Sequence, residues 1–510
     1  MSRTNPRTIV LFMVDQLAAK WLEVAREGIV DLPNFDALQA EGTTFLSAFS
    51  TNPVCSPSRA SIATGLSSSV HGVAECGYNL DATIPTFMGV LQSAGWMTGG
   101  FGKIHLLPQI ADLTPDYRPF GFDVVKNTED SRAGAWLDWV RETHPEHYVA
   151  AQSTVWMTMV PELEAYGPDR VDLKAEILAA RRKFPESATE AYELPFPAEV
   201  SQTAWITDRA CEFLESAEGD VFAQVSYVQP HSPFAPPAEF VDRVNIDRIP
   251  EPVRADWLDT PIPYYQQARY SAPSYETHDW RRERQLYFAD LAHLDHELGR
   301  VREALRKSGR CEDLLFIFTS DHGELLHDHG LLGKWERHYD PCIRVPLIVG
   351  ATGGRVAHDD TSIVEHVDIA PTIYEWSGVR APALPLRRRE IVNETASLSG
   401  HSLLERIRTG GSEDVHRETV YVQSNNGFGE PNPLSWSRTL RDSRYRYTRH
   451  LAGGGEQLFD LTLDPDEQHN LVGDPQAAPT LHRMRDALVE AIATDTYPNT
   501  PIGLYQVGSW

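Results

Sequence analysis

An alternation of short, wholly apolar runs with longer amphipathic stretches is what most restricts the folds open to this chain. Thr8-Ile-Val-Leu-Phe-Met-Val14 carries no polar residue after its first position, as a strand covered on both faces requires. Val221-Phe-Ala-Gln-Val-Ser-Tyr-Val228 and Leu314-Leu-Phe-Ile-Phe-Thr319 read as further strands, and Val345-Pro-Leu-Ile-Val349 follows them. Helical patterns are expected around Leu32–Glu41, Arg59–Gly65 and Thr83–Ala94. Between Arg282 and Lys307, Leu286, Leu291, Leu294, Leu298, Val301 and Leu305 recur at the mixed spacings of an amphipathic helix, which Gly309 would end. This order predicts an α/β chain: a large mixed, mostly parallel sheet sandwiched by helices. Beyond the Pro- and Arg-rich stretch Ala381–Glu390, Thr419–Gln423 and Arg444–Thr448 alternate at period two, and a helix is expected over Pro479–Thr494. The expected division is an N-terminal domain over 1–385 and a smaller C-terminal α+β subdomain over 386–510. Its tail holds Tyr497, Tyr505 and Trp510, which suits docking, with a second copy of the chain as one surface.

Two strands run into an acidic residue followed by a polar one, Asp15-Gln16 and Asp321-His322. In open α/β sheets the ligand crevice lies beyond the carboxyl ends of the strands, so these distant pairs can meet there. Each Asp taken alone also reads as a turn or helix-cap residue.

Charge narrows the partners. The 510 residues hold 72 Asp+Glu against 46 Lys+Arg, a formal net charge of −26, while 41% hydrophobic content argues against disorder. That excess opposes association with nucleic acid and with anionic membranes, so an anionic ligand must meet a local cluster of positive charge. Five scattered cysteines without a CxxC pair predict a reducing compartment, and Thr8–Val14 is too short for a membrane span, so the cytoplasm is expected.

The most informative stretch is Cys55-Ser-Pro-Ser-Arg59-Ala-Ser-Ile-Ala-Thr64-Gly65. On physical grounds it is a Cys on a loop, a Pro placed to start a helix, and an Arg inside the first turn. A helix N-terminus favours negative charge, which suits either an activated thiolate or a small buried Cys.

Cys55-x-Pro57-Ser58-Arg59, continuing to Thr64-Gly65, resembles the motif of the type I sulfatases, formylglycine-dependent members of the alkaline phosphatase superfamily. The resemblance extends through Gly102-Lys103-Ile104-His105, Pro230-His231, Thr319-Ser-Asp321-His322-Gly323-Glu324, Gly333-Lys334, Arg344-Val-Pro-Leu347 and Val367-Asp-Ile-Ala-Pro-Thr372. Near the end, Leu458-Phe-Asp-Leu461 with Asp464-Pro465 and Asn470-Leu471 is similar to the family's C-terminal motif. It implies a sulfuric ester hydrolase acting on a small-molecule sulfate ester, with Cys55 converted to formylglycine by a formylglycine-generating enzyme. It further implies one divalent cation, Ca²⁺ ahead of Mn²⁺, held by Asp15, Gln16, Asp321, His322 and the oxygen at position 55. By the same resemblance Arg59 orients formylglycine, Lys103 and Lys334 contact the sulfate oxygens, His105 assists at position 55 and His231 protonates the leaving oxygen.

Gln16 and His322 depart from the commonest pattern, which has Asp and Asn there. The Asp-Gln and Asp-His pairs are similar to those of choline sulfatases and phosphonate monoester hydrolases, so phosphonate monoesters and phosphodiesters are the alternative substrates. Cys76 stands where many relatives carry Asn. Lys126–Pro197 matches no motif, and its Trp136, Trp139, Trp156 and Tyr148 suit a substrate-facing wall, an oligomer contact or core packing.

Overall fold

The computed structural model describes residues 6–109, 112–156, 158–264, 279–335, 337–382, 384–385, 395–396, 398–411, 415–425 and 436–496. Its main sheet has eight strands: β1 (Thr8–Val14), β2 (Thr43–Phe49), β3 (Met97–Gly102), β4 (Val124–Asn127), β5 (Val221–Ser226), β6 (Leu314–Ser320), β7 (Leu347–Ala351) and β8 (His358–Glu365). They lie in the order β4-β3-β5-β1-β6-β7-β2-β8. Only β7 runs against its neighbours, pairing antiparallel with both β6 and β2. The sheet is therefore mixed and mostly parallel, as the alternation of strands and helices predicts.

Successive side chains of a strand point to opposite faces, and β1 supplies both cores. Val10, Phe12 and Val14 enter one, together with Leu286, Leu291, Leu294, Leu298, Val301 and Leu305 of the helix Trp280–Lys307. Ile9, Leu11 and Met13 enter the other, packed with Ile62, Phe87 and Ile373. Each fully buried aliphatic or aromatic side chain of this kind contributes about 1.5–3 kcal/mol of transfer free energy. This two-sided burial fixes the sheet's register and hence where its strands end.

A two-residue antiparallel pair, β9 (Leu384–Pro385) with β10 (Thr395–Ala396), precedes a four-stranded antiparallel sheet. That sheet runs in chain order through β11 (Val420–Ser424), β12 (Ser437–Arg441), β13 (Tyr445–His450) and β14 (Gly455–Asp460). The helix Ala478–Thr496 covers it, setting Leu481, Met484 and Leu488 on Leu440, Tyr447 and Leu458. The expected domain boundary at 385/386 adjoins residues 386–394, and the tail 497–510 holds the expected docking aromatics; both stretches lie outside the described residues. Among the described residues no helix is long and apolar enough to cross a membrane.

One boundary differs from expectation at an important place. The helix carrying the Cys55–Gly65 motif begins at Cys55, not after it, and runs to Thr64 with Gly65 closing it in the left-handed conformation. Pro57 sits within the first turn, where its missing N–H has no intrahelical partner to lose. Within Lys126–Pro197, Trp136 is buried in the core and donates to Val200 O (3.0 Å), whereas Trp156 reaches towards the ends of the strands.

Candidate active site

The site gathers where β1, β3, β5 and β6 end. Val14 is in register with Ser320, so Asp15 emerges beside Asp321. The Asp321 N–H donates to Val14 O (3.3 Å) and the Asp15 N–H to Gln229 O (3.2 Å), fastening the three central strand ends together. Gly102 closes β3 at φ +85°, and a Cβ there would stand 2.0 Å from Ser226 O. Its lack of a side chain lets the Lys103 N–H reach Ser226 O at 2.8 Å. Gly323 has a similar reason: a Cβ would lie 1.9 Å from Pro341 O, directly after His322.

Ligand atoms of Asp15, Cys55, Asp321 and His322 all lie within 4.8 Å of one another, and all four residues are buried. His322 Nε2 is 3.2 Å from Cys55 Sγ and 3.5 Å from Oδ1 of both Asp15 and Asp321. Its Nδ1 donates to Gly323 O (3.0 Å), a contact that turns Nε2 towards the carboxylates. Gln16, at φ +66°, donates its N–H to Asp321 Oδ1 (3.1 Å) and its side-chain amide to the Glu324 carboxylate. Gln16 Oε1 is left buried with no hydrogen-bond partner among the described residues. Two carboxylates, an imidazole nitrogen and an orphaned amide oxygen form a donor set that fits a divalent cation.

Positive charge balances this cluster. Arg59 Nε donates to Asp321 Oδ2 (2.7 Å) and Nη2 to Asp15 Oδ2 (3.2 Å), while Nη1 binds Lys103 O (2.6 Å) and Ser226 Oγ (2.9 Å). Its guanidinium is thus committed to the carboxylates and strand ends. Lys103, fully buried, pairs with Asp15 and with Asp130 Oδ1 (2.6 Å). Lys334 Nζ is 2.9 Å from both Cys55 Sγ and His322 Nε2. Burial and Cys55 both push the Asp15 carboxyl upwards, yet Lys103, Lys334 and His231 outweigh them and hold it far below the usual range. Burial likewise opposes ionisation of the Cys55 thiol, but a hydrogen bond from Cys76 and the charges of Lys103, Lys334 and His322 hold it well below the ordinary cysteine value.

The two expected histidines have different surroundings. His105, at φ +52°, is buried with Nδ1 unpartnered among the described residues, and a ring nitrogen lies within 4.8 Å of the Cys55 and Cys76 sulfurs. His231 donates Nδ1–H to Ser232 O (2.5 Å), which leaves Nε2 available, and its ring sits 5.9 Å from Trp156. His71, by contrast, bonds Ser61 Oγ (3.0 Å) and the Val73 N–H (3.1 Å), a packing role that burial reinforces by pushing its pKa down to about 3.

Three acids that motif reading leaves without a task hold the site in place. Glu129 accepts from the N–H groups of Ile104 (3.2 Å) and His105 (3.3 Å), from Gln109 (2.9 Å) and from Tyr117 OH (2.7 Å), pinning the Lys103–His105 loop. Asp130 anchors Lys103. Glu324 fixes the Gln16 amide and also takes the N–H of Leu326 (2.7 Å) and Gly333 (2.5 Å), tying the ligand loop to the segment that carries Lys334. Their signal in the sequence is only closeness to the strand ends.

Comparison with known proteins extends the geometry. A family model described as Sulfatase matches residues 7–379, and one described as N-sulphoglucosamine sulphohydrolase, C-terminal, matches residues 327–494. An arylsulfatase of Clostridium perfringens is 24% identical over 503 residues, covering 95% of this chain and 94% of its own. A choline-sulfatase of Rhizobium meliloti is 26% identical over 485 residues, covering 93% and 84%. The crystal structure of a phosphonate monoester hydrolase of Agrobacterium radiobacter shares the fold, with a TM-score of 0.76 at 23% identity and 96% of each chain covered.

Proposed function

The chain belongs to the sulfatase family, and we propose that it cleaves sulfate monoesters with a nucleophile made from Cys55 by conversion to formylglycine. The observation that carries this reading is the position of Cys55 Sγ, 3.2 Å from His322 Nε2, 2.9 Å from Lys334 Nζ and 3.8 Å from Asp15 Oδ1. An atom in that place touches the acceptor cluster and a positive charge together. Formylglycine, as its hydrate, supplies two hydroxyl groups on one carbon, one to attack sulfur and one to release it. A divalent cation supplies charge that favours ionisation of the nucleophile.

Asp15, Gln16, Asp321 and His322 are the residues to hold that cation. Three oxygen donors against one imidazole favour Ca²⁺, with Mn²⁺ next. Lys334 and Lys103 face the oxygens that gain charge as the ester bond breaks. Arg59 bridges the two ligand carboxylates and balances their charge. His231, with Nδ1–H bound to Ser232 O, presents Nε2 to protonate the leaving oxygen, and His105 exchanges the proton at position 55. Trp156 beside His231 offers an apolar surface to the alcohol portion. Cys55, Cys76, Cys211, Cys311 and Cys342 are all unpaired, which supports placing the enzyme in the cytoplasm.

A second reading has a specific basis. Gln16 replaces a carboxylate of the commonest ligand set, and His322 an amide, as in the phosphonate monoester hydrolases noted above. Phosphonate monoesters and phosphodiesters share the single negative charge and tetrahedral centre of a sulfate monoester. Mass analysis of the Cys55 peptide from chains co-expressed with a formylglycine-generating enzyme tests the nucleophile: an unmodified thiol in fully active protein overturns the proposal. Turnover of nitrophenyl sulfate, phosphonate and phosphodiester ranks the substrates, and a phosphonate cleaved far faster than every sulfate would replace the first reading by the second.

A further inference from the structure

Cys55 has a second sulfur for a neighbour. Cys76, partly exposed in the loop that follows the Ser68–His71 helix, brings its Sγ within 4.8 Å of Cys55 Sγ. The other three cysteines face elsewhere: Cys342 Sγ contacts Gly333 O (3.5 Å), Cys211 Sγ contacts Arg300 O (3.8 Å), and Cys311 is exposed. The two sulfurs also differ in their backbone setting. Cys55 stands in the first turn of a wholly buried helix, whereas Cys76 sits on a loop between Gly72 and Gly77, so closure to the ~2.05 Å separation of a disulfide falls to the Cys76 side.

We propose that Cys55 and Cys76 form a disulfide when a hydroperoxide reaches a chain in which Cys55 is still a thiol. One sulfur attacks the peroxide O–O bond and becomes a sulfenic acid as the first water leaves. The second sulfur displaces that hydroxyl, taken off with a proton as the second water. With hydrogen peroxide, two S–H bonds and one O–O bond are exchanged for one S–S bond and two waters; each sulfur gives up one electron and the peroxide gains two. The bond removes the thiol that conversion to formylglycine requires. Unconverted chains exposed to oxidant are thereby stored in a form that a thiol reductant reopens.

The test uses the full chain produced without a formylglycine-generating enzyme, treated with hydrogen peroxide, alkylated, digested without reductant and mapped by mass. The expected product is a Cys55 peptide linked to a Cys76 peptide, two hydrogens lighter than their sum and separated by dithiothreitol. Cys76→Ser should lose the linked species entirely and carry sulfinic or sulfonic acid at Cys55 instead. Recovery of the two cysteines as separate oxyacids in the unsubstituted chain, or linkage of Cys55 to Cys342 or to another chain, overturns the proposal. Every arm uses unconverted protein, so a negative result leaves the formylglycine reading untouched, and an absence of formylglycine in co-expressed protein leaves this one untouched.

Discussion

Lys103 shows how little freedom a single side chain at this site has. Its ammonium is buried between Asp15 and Asp130, and although burial disfavours its charge, Asp130, Asp15 and Cys55 raise its pKa well above that of a free lysine. Truncation would leave the buried Asp130 without its cation and Asp15 with only Arg59 and Lys334, a situation that costs up to about 3–5 kcal/mol. Lys103→Met should therefore lower both kcat, by about 10²–10³-fold as for loss of one preorganised charge donor, and the melting temperature. Calorimetry beside steady-state kinetics checks this, and an unchanged melting temperature would show that Lys103 is not the counter-ion of Asp15 and Asp130. Glu129 and Glu324 act in the same spirit, through N–H groups of the loops that bear His105 and Lys334. None of these three partners can be read from the sequence, because a lone acid in a polar loop has no spacing that distinguishes an anchor from a solvated charge.

Elements are more legible than their anchors. The six apolar positions of the helix Trp280–Lys307 all enter one core, since their spacing leaves a single face for them. The start of the Cys55 helix is not legible to the residue, because Pro57 is compatible with every position of a first turn. That long helix also carries a penalty its periodicity hides. Asp290 is fully buried, and burial raises its pKa from 3.8 to about 8, Arg132 and the Ala235 N–H offsetting only part of the rise. Below pH 3.8 the group is protonated folded or unfolded and costs nothing of this kind. Between 3.8 and about 8 the unfolded chain releases the proton that the folded chain keeps, so stability falls as pH rises, by a few kcal/mol at most. Asp290→Asn removes the titration, and its stability advantage over the parent in denaturant titrations should grow from pH 5 to pH 8. An equal advantage at both values would mean that Asp290 does not keep its proton in the folded chain.

At the scale of the whole molecule, the charge of −26 and the positive charges around Cys55 act on an anionic ester in opposite directions. The first is long-ranged and screened within about 10 Å at 0.1 M salt, whereas the second works in contact. Raising ionic strength from about 10 to 150 mM should therefore increase kcat/KM for a monoanionic sulfate ester, the reverse of the usual steering by an oppositely charged protein. A zwitterionic ester should show little change; a fall with salt for the monoanion would mean that local attraction governs encounter.

The C-terminal sheet enters this picture through three consecutive residues that follow the Lys334 loop. His338 is held by Thr439 Oγ1 and Ser424 Oγ (2.8 Å each), Tyr339 OH donates to Gln457 Oε1 (3.1 Å), and the Asp340 N–H donates to Glu467 Oε2 (2.8 Å), a carboxylate that also pairs with the buried Arg446. A chain shortened to the main sheet would keep Lys334 itself and lose the bench on which its loop is clamped. The smaller unit is thus a tool-rest for the larger one: among the described residues it contributes none of the groups around Cys55, yet it supports the segment from which one of their charges is delivered.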